Sequence, residues 1–240
     1  SRPAIAPVAF VAPLPARVPP IDTAWSAGQV TYYGPASPNG ACMGTSTPAN
    51  RYTVALGPQE YADGFACGTY VDIRGPRGTI RAKVTNLCPE CAKGHLDLSD
   101  EAFAALDDPR KGVTKVSYRA VRNPSVGPLT VRVKEGSNPW WLAIRIDNHG
   151  NPLSSVEVRT GGGWQQLQLQ GYGYWVLGSG AGDGPFQVRV TDAFGHRAVV
   201  KGVRLNPGQV QQTGVRLYGA GAGSAPAPTT RRTTPTATAS

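Results

Sequence analysis

The stretch VTNLCPECAKGHLDLSDEAF, residues 84–103, brings two cysteines, a histidine and an apolar-flanked carboxylate into one short segment. Cys88 and Cys91 enclose a tight loop, His95 follows, and Asp97 lies between two leucines. A carboxylate in this setting suits a general acid, but hydrolysis of a glycosidic bond normally needs a second carboxylate across the substrate. Asp97 is therefore the leading candidate for a functional residue. Whether a second carboxylate faces it decides whether the protein can hydrolyse a glycosidic bond.

The composition is that of a folded protein with two ordinary domains. The chain has 240 residues, of which 40% are hydrophobic and 16% charged, enough for two separate cores. No stretch approaches the roughly 20 apolar residues that span a bilayer, and residues 1–20 are broken by prolines and lack an initiator Met. We interpret the chain as a mature, secreted, extracellular protein without a membrane partner.

The formal net charge of +9 favours an anionic surrounding, for which nucleic acid, a membrane surface and acidic polysaccharide are the candidates. The basic residues are scattered singly along the predicted strands, which argues against nucleic acid. Acidic pectin, bound through the basic surface, is then the expected anionic partner.

The four cysteines, an even number, fit two disulfides in an oxidised secreted protein. The alternative is a zinc site in which Cys88 and Cys91 act with Cys42, Cys67 or His95. The remaining spacings do not repeat the CxxC unit, so metal is not favoured. Spacing alone does not fix the disulfide pairing.

Glycine (30) and proline (22) punctuate short β-type runs along the whole chain. Only SDEAFAAL, residues 99–106, predicts a helix, with Ser99 as its N-cap. Residues 25–121 hold six candidate strands: GQVTYYG, YTVALG, TYVDIRG, GTIRAKVTNL, HLDLS and TKVSYRAV. Residues 1–24 form a Pro/Ala-rich extension before this domain.

A linker with two prolines, residues 122–128, precedes a second β domain at residues 129–218. Its candidate strands are LTVRVKEG, WWLAIRIDN, LSSVEVRT, GWQQLQLQ, YGYWVL, PFQVRVTD, RAVVKGVRL and TGVRLYG. Evenly spaced short strands of this kind indicate an antiparallel sandwich. Residues 219–240 are small, polar and proline-rich, which is typical of a disordered tail or linker.

Six motifs occur in order in the first domain: TYYG, ACMG, VALG, ACGTYVDI, VTNLCPEC and GHLDLS. Together they resemble the barrel of expansins, and the WW-bearing second domain extends the resemblance, which is greatest to the microbial two-domain members. The resemblance implies a mainly β protein, a six-stranded double-psi β-barrel followed by an immunoglobulin-like β-sandwich. It also implies a disulfide between Cys42 and Cys67, which leaves Cys88 to pair with Cys91.

The resemblance assigns a groove to the barrel. Related small inverting endoglucanases keep a catalytic acid at the position of Asp97, and expansins keep this acid but lack the catalytic base. The family has an aspartate where this chain has Asn86, an amide that can bond a sugar hydroxyl but cannot take up a proton. Thr31 and Tyr33 match positions that line the same groove, and Glu90 lies in the nearby CPEC loop.

Each groove assignment has a simpler alternative. Thr31 can be an ordinary strand residue and Glu90 a solvated loop charge. Asp97 can accept backbone N–H groups at the start of the helix that follows Ser99, without any chemistry. His95, a lone strand histidine, is expected to be structural.

Trp140 and Trp141 are adjacent, and strict strand alternation would place Trp140 on the core side. Pro139 precedes the pair and can disturb the pleat. In expansins the matching tryptophans and a later tyrosine, Tyr172 here, form a flat exposed strip that binds cellulose. Lys134 is expected to point outward beside it.

Two neighbouring features are less specific. Of Tyr174 and Trp175, one is expected to extend the strip while the other fills the core. The glycine-rich GSGAGDG, residues 178–184, lacks the Lys and Ser or Thr of a phosphate loop, and we interpret it as a mobile hairpin.

The resemblance predicts a non-hydrolytic protein that loosens plant cell walls, as a monomer that binds cellulose and associated matrix glucans without cofactor or metal. One alternative is an enzyme, either an endoglucanase or a lytic transglycosylase, with Asp97 as general acid. A second alternative is a non-catalytic polysaccharide-binding or inhibitor module, against which the aromatic second domain argues.

Overall fold

The computed structural model of the chain describes residues 17–219. Two separate clusters of buried side chains fill it, one inside the first domain and one inside the second. The predicted fold class, mainly β with a barrel followed by a sandwich, is confirmed. The prolines and alanines of residues 1–16 and most of the predicted tail, residues 220–240, lie outside the described residues.

The first domain is a closed six-stranded barrel with the strand order β1-β5-β2-β4-β3-β6. Its strands are β1 Ser26–Gly34, β2 Thr53–Leu56, β3 Tyr70–Gly75, β4 Gly78–Leu87, β5 His95–Ser99 and β6 Thr114–Ala120. The pairs β1 with β5 and β2 with β4 are parallel, and the other four pairs are antiparallel. This mixed crossing is the double-psi arrangement that the resemblance implies.

The barrel interior is filled by alternating apolar side chains. Val30, Leu96 and Leu98 are fully buried, so their neighbours Thr31 and Asp97 face outward on the same side of β1 and β5. Thr31 and Asp97 therefore lie side by side on the outer wall, because their apolar neighbours in the two strands fill the barrel interior.

The helix predicted at residues 99–106 is present as α2, Asp100–Leu106, with Ser99 in the N-cap position. The Ser99 hydroxyl makes no side-chain cap bond; its Oγ donates to the Arg51 carbonyl and accepts the Thr53 N–H. A one-turn helix α1, Pro58–Tyr61, and a 3-10 turn, Pro109–Lys111, complete the domain.

The second domain is a sandwich of two sheets with the orders β10-β9-β13-β14 and β11-β12-β8-β7-β15. Neighbouring strands within each of these sheets run antiparallel. The strands are β7 Thr130–Val133, β8 Leu142–Asp147, β9 Leu153–Thr160, β10 Gly163–Gln166, β11 Gln168–Leu169, β12 Trp175–Leu177, β13 Phe186–Asp192, β14 Arg197–Val203 and β15 Val210–Gln212.

Three strand predictions in this domain need correction. The run TGVRLYG is not a strand, and the last strand is instead β15, which ends at Gln212. The run GWQQLQLQ divides into β10 and β11, which belong to different sheets, because the chain crosses the sandwich at the buried Leu167. Only the last three residues of YGYWVL form a strand.

The segments at the domain borders are tied to the domains, whose predicted limits remain predictions. Ile21, within the predicted extension, is buried in the barrel core, and the carbonyl of Asp22 accepts the Ala120 N–H at 2.7 Å. In the predicted linker, Asn123 donates its N–H to Asn151 at 2.7 Å. The Pro124 carbonyl accepts the Tyr218 hydroxyl at 2.7 Å.

A buried polar cluster joins the barrel to the sandwich. Lys83 of β4 forms an ion pair with Asp147 of β8 at 2.9 Å, and Ser46 donates its N–H and hydroxyl to the same carboxylate. Arg145 of β8 donates to the Thr45 hydroxyl and to the Gly173 carbonyl. Burial would raise the pKa of Asp147, but the charges of Lys83 and Arg145 hold it well below its ordinary value.

Candidate functional site

The strand register places three of the candidate groove residues, Thr31, Asp97 and Asn86, in one row across the outer wall of the barrel. Thr31 lies opposite Asp97, Asp97 opposite Ala55, and Ala55 opposite Asn86. Ala55 is covered by Cys88 and Cys91 in a small buried cluster. The row runs over three neighbouring strand pairs. We call Thr31, Tyr33, Asn86, Glu90 and Asp97 the barrel groove.

Thr31 is the direct partner of Asp97. Its hydroxyl donates to Asp97 Oδ1 at 2.6 Å, and the Thr31 Oγ1 also lies 2.9 Å from Nε2 of His95. His95 therefore also contacts the barrel groove. The sequence interpretation placed it in a strand but missed this contact. Asp97 makes this contact across two strands, in place of the cap to helix α2 that was the alternative.

Two strand bulges adjoin this row. The register of β1 shifts between Tyr32 and Gly34, and the pairing of β2 with β4 leaves Thr85 unpaired. Bulges re-aim side chains next to binding sites. The hydroxyl of Tyr33, the bulged residue of β1, lies 2.6 Å from that of Thr53. Burial raises the pKa of Tyr33, the Thr53 hydrogen bond lowers it, and the charge of Asp97 raises it, so that it ends above its ordinary value.

Asn86 has a structural task that the sequence did not indicate. Its Oδ1 accepts the backbone N–H of Ala41 at 2.7 Å and of Leu87 at 2.9 Å. These two donors fix the orientation of the amide, with its oxygen toward the backbone. Asn86 thereby anchors the loop GACMG, residues 40–44, to the edge of the groove.

The cysteines form two disulfides, Cys42 with Cys67 and Cys88 with Cys91. This is the pairing that the resemblance implies, and it leaves no free thiol for zinc. Among residues 17–219 no group of three or more His, Cys, Asp or Glu side chains could hold a metal ion. The second disulfide closes the loop that carries the exposed Glu90.

On the sandwich, Trp140 lies in a tight turn, before strand β8 begins. Asn138 and Trp141 exchange backbone hydrogen bonds of 2.8 and 3.2 Å around Pro139 and Trp140. The Asn138 Oδ1 also accepts the Trp140 N–H at 2.9 Å. Strand alternation therefore does not apply to Trp140, whose exposure is 77%.

We call Trp140, Trp141 and Tyr172 the aromatic strip. Trp141 and Tyr172 are partly exposed, as is Lys134, which directly follows β7 and donates its N–H to the Ala143 carbonyl at 2.9 Å. Their role in binding stays a prediction.

The expectation that Tyr174 or Trp175 extends the strip is wrong, because both are buried. Trp175 belongs to the sandwich core. The predicted mobile hairpin, residues 178–184, is held at its centre, where the Gly182 N–H donates to the Pro139 carbonyl at 3.0 Å.

The loop anchored by Asn86 also reaches the aromatic strip. Ala41 is bound to the Asn86 side chain, and two residues later Met43 donates its N–H to the Tyr172 carbonyl at 3.0 Å. Two residues span about 7 Å at most. The barrel groove and the aromatic strip are thus connected by a single short segment, from which Met43 is 46% exposed.

The chain matches two family models in the order of its two domains. Residues 25–118 match a model described as lytic transglycolase, and residues 129–203 match the expansin C-terminal domain. Expansin-YoaJ of Bacillus subtilis (strain 168) is 34% identical over 172 residues, which cover 70% of this chain and 74% of that protein. The chain belongs to the expansin family.

Other expansins agree with this assignment. Expansin-B4 of Arabidopsis thaliana is 31% identical over 211 residues, or 75% of this chain and 82% of that protein. The crystal structure of the apo expansin from Clavibacter michiganensis has a TM-score of 0.79 and 42% identity, covering 82% of this chain and 99% of that chain. A variant of the Clavibacter expansin in complex with cellohexaose has a TM-score of 0.78 and 41% identity, with the same coverage. Within residues 17–219 of our expansin, no helix is long and apolar enough to cross a membrane.

Proposed function

We propose that this chain is a secreted, non-hydrolytic protein that loosens plant cell walls. In this proposal the aromatic strip adsorbs to cellulose, Lys134 assists it, and the barrel groove binds a glucan strand and disrupts its contacts with neighbouring strands. The observation that carries the proposal is the connection of the two surfaces through Ala41 and Met43. A single extended glucan can then contact both. The expansin bound to cellohexaose supports this class of ligand.

The exposure of Trp140 supports adsorption to a flat ligand. Its ring projects from a turn, and a large exposed aromatic surface is unfavourable unless it meets a partner. Pyranose faces are apolar enough to stack on such rings. Crystalline cellulose presents a flat array of these faces.

The surroundings of Asp97 support binding in preference to cleavage. Asn86, at the position of the family aspartate, cannot accept a proton. Glu101 is close enough for its charge to act on Tyr33, but it forms an ion pair with Arg51 at 2.5 Å. The hydrogen bond from Arg51 lowers the pKa of Glu101, and a carboxylate paired in this way is a weak base. A protein of this kind acts without cofactor.

A lytic activity is the second candidate function, because the family model that matches the barrel is described as a lytic transglycolase. A lytic transglycosylase of peptidoglycan needs only one acid. Asp97, with the Thr31 hydroxyl 2.6 Å away, would be that acid. The product would carry an anhydro sugar end.

Acidic pectin is the further partner that we propose, at a basic cluster on the outer wall of the barrel. The guanidinium groups of Arg74 and Arg119 lie 4.2 and 4.5 Å from the Trp25 ring centre. Arg119 is partly neutralised by Asp72 at 3.4 Å. We expect binding to polygalacturonate to weaken with salt and to fall further in Arg74→Gln, relative to Arg110→Gln elsewhere on the barrel.

Cellulose adsorption, wall creep under load and release of soluble sugar test the proposal together. We expect Trp140→Ala/Trp141→Ala to lose adsorption and creep, while the control Trp164→Ala, on the other sheet, keeps both. Asp97→Ala should adsorb normally and lose creep. Neither the wild type nor any of these variants should release soluble sugar. Sugar or anhydro-sugar release that disappears in Asp97→Ala would establish the lytic alternative instead.

The hydrogen bond between Thr31 and Asp97 offers a matched pair of variants. Thr31→Ser keeps the hydroxyl, and Thr31→Val keeps the shape without it. We expect creep to survive in Thr31→Ser and to fall in Thr31→Val. Equal creep in both variants would mean that the hydroxyl has no part in the groove.

A further inference from the structure

The orientation of Trp140 depends on its backbone. Its ring is largely exposed and therefore has few neighbours that could fix it. What holds the residue is the turn, through the bonds between Asn138 and Trp141 and the bond from the Trp140 N–H to the Asn138 side chain. Anything that displaces this turn displaces the ring.

The glycine-rich loop at residues 178–184 packs directly against the turn. A Cβ added to Gly180 would lie 2.2 Å from the Pro139 carbonyl oxygen and 2.5 Å from the Cα and carbonyl carbon of Trp140. These are backbone atoms, which cannot rotate away as a side chain would. The Gly182 N–H bonds to the same Pro139 carbonyl at 3.0 Å.

We propose that Gly180 is a positioning residue for cellulose binding, because the absence of a side chain lets the loop pack against the backbone of the Trp140 turn. This inference rests on the proposed role of Trp140 in adsorption. The loop needs glycine here for contact and not only for conformation. Both Gly180 and Gly182 have positive φ, +67° and +81°, but a Cβ at Gly182 would meet nothing within 4 Å. Gly182 is therefore a matched control.

The experiment compares Gly180→Ala, Gly182→Ala and Trp140→Ala in the full chain. The chain has five tryptophans, so 5-fluorotryptophan gives separate fluorine NMR signals, and Trp140→Phe assigns that of Trp140. We expect both alanine variants to lower the thermal midpoint, since both place a side chain at positive φ, and Gly180→Ala to lower it further because its Cβ would also meet backbone atoms. Gly180→Ala alone should shift the Trp140 signal and weaken adsorption to microcrystalline cellulose, by about two- to tenfold if the displaced contact is worth what a well-oriented aromatic pair is worth.

The outcomes separate this inference from the proposed function. Lost adsorption in Trp140→Ala together with normal adsorption in Gly180→Ala would overturn the role of Gly180 alone. Normal adsorption in Trp140→Ala would overturn the role of Trp140 in binding and with it this inference. If Gly180→Ala does not fold, Asn138→Ala weakens the same turn without added atoms. A shifted Trp140 signal and weaker adsorption in Asn138→Ala would support the positioning of Trp140 by its turn, and an unchanged signal would contradict it.

Discussion

Lys83 of the barrel and Asp147 of the sandwich form an ion pair at 2.9 Å in which the side chains are only 2% and 6% exposed. Burial lowers the pKa of Lys83, and the attraction of Asp147 opposes this effect. Burial of each charge costs desolvation free energy, which the attraction of the opposite charge offsets. Removal of one side chain therefore leaves the other charge buried without that compensation. Removal of either side chain is therefore expected to destabilise the contact between the two domains.

We expect Lys83→Met to lower the free energy of unfolding by about 3–5 kcal/mol, because Asp147 then stays buried without its ion-pair partner and keeps only the charge of Arg145 nearby. Arg110→Met is the matched control, since the Arg110 side chain is 91% exposed in its pair with Asp108 and such exposed pairs contribute little to stability. Urea unfolding of the two variants measures the difference. Equal losses would mean that the interface pair is not specially stabilising.

The same cluster predicts a pH dependence through His149. Burial, and then the charge of Arg145, lowers the pKa of His149 from 6.5 to about 4, while its Nδ1 is bonded to the Asn151 carbonyl at 2.6 Å. Between these two values the unfolded chain takes up a proton that the folded protein does not, so stability falls as the pH falls. The contribution of His149 to the free energy of unfolding is complete well above pH 6.5 and is lost progressively as the pH falls to about 4.

The expected loss from His149 is about 2 kcal/mol between pH 7 and pH 5. Urea unfolding at both pH values, in the wild type and in His149→Gln, measures it. The variant cannot titrate and should have a smaller difference between the two pH values. The same difference in both proteins would contradict the prediction.

The role of Asn86 can be tested with one substitution that keeps a hydrogen-bond acceptor and one that removes it. A carboxylate at this position could accept the same two N–H groups, from Ala41 and Leu87. We therefore expect Asn86→Asp to stay within about 1 kcal/mol of the wild type, whereas Asn86→Ala leaves two donors without their acceptor and costs about 1–3 kcal/mol. Thermal unfolding measures stability. Creep in Asn86→Asp then reports what the family carboxylate adds beside Asp97.

The two disulfides should differ in their contribution to stability because they close loops of different size. Cys42 and Cys67 are 25 residues apart, and Cys88 and Cys91 are 3 apart. Loop-closure entropy gives about 3.5 kcal/mol for the first and about 1.6 kcal/mol for the second. Urea unfolding of the two double-serine variants measures both. A larger loss for the shorter loop would show that strain or packing outweighs chain entropy.

The groove was accessible from sequence because strand alternation is a local signal. The leucines that flank Asp97 predict its outward orientation, and family motifs pair it with Thr31, which the register places opposite. The position of His95 beside Thr31 was missed, although both residues lie in strands already predicted. Residue spacing alone could have indicated it, since His95 and Asp97 share one strand face.

The contact between the two domains could not be predicted from strand alternation. In WWLAIRIDN the apolar Leu142, Ile144 and Ile146 alternate with a set that includes Arg145 and Asp147, a pattern typical of one buried and one solvated face. The structure buries all six residues of β8, because the charged face packs on the barrel. No periodicity within one strand reports that a second domain covers it.

Met43 is the chain's only methionine, and it is exposed where the groove and the strip meet. A single isotopically labelled methyl group at this position would give one NMR signal, with no assignment needed, from the junction itself. The same uniqueness concentrates oxidative damage, since a sulfoxide would place a polar group at this point of the surface. The protein thus carries one natural probe, and one vulnerable atom, at the place where a bound chain would cross between its domains.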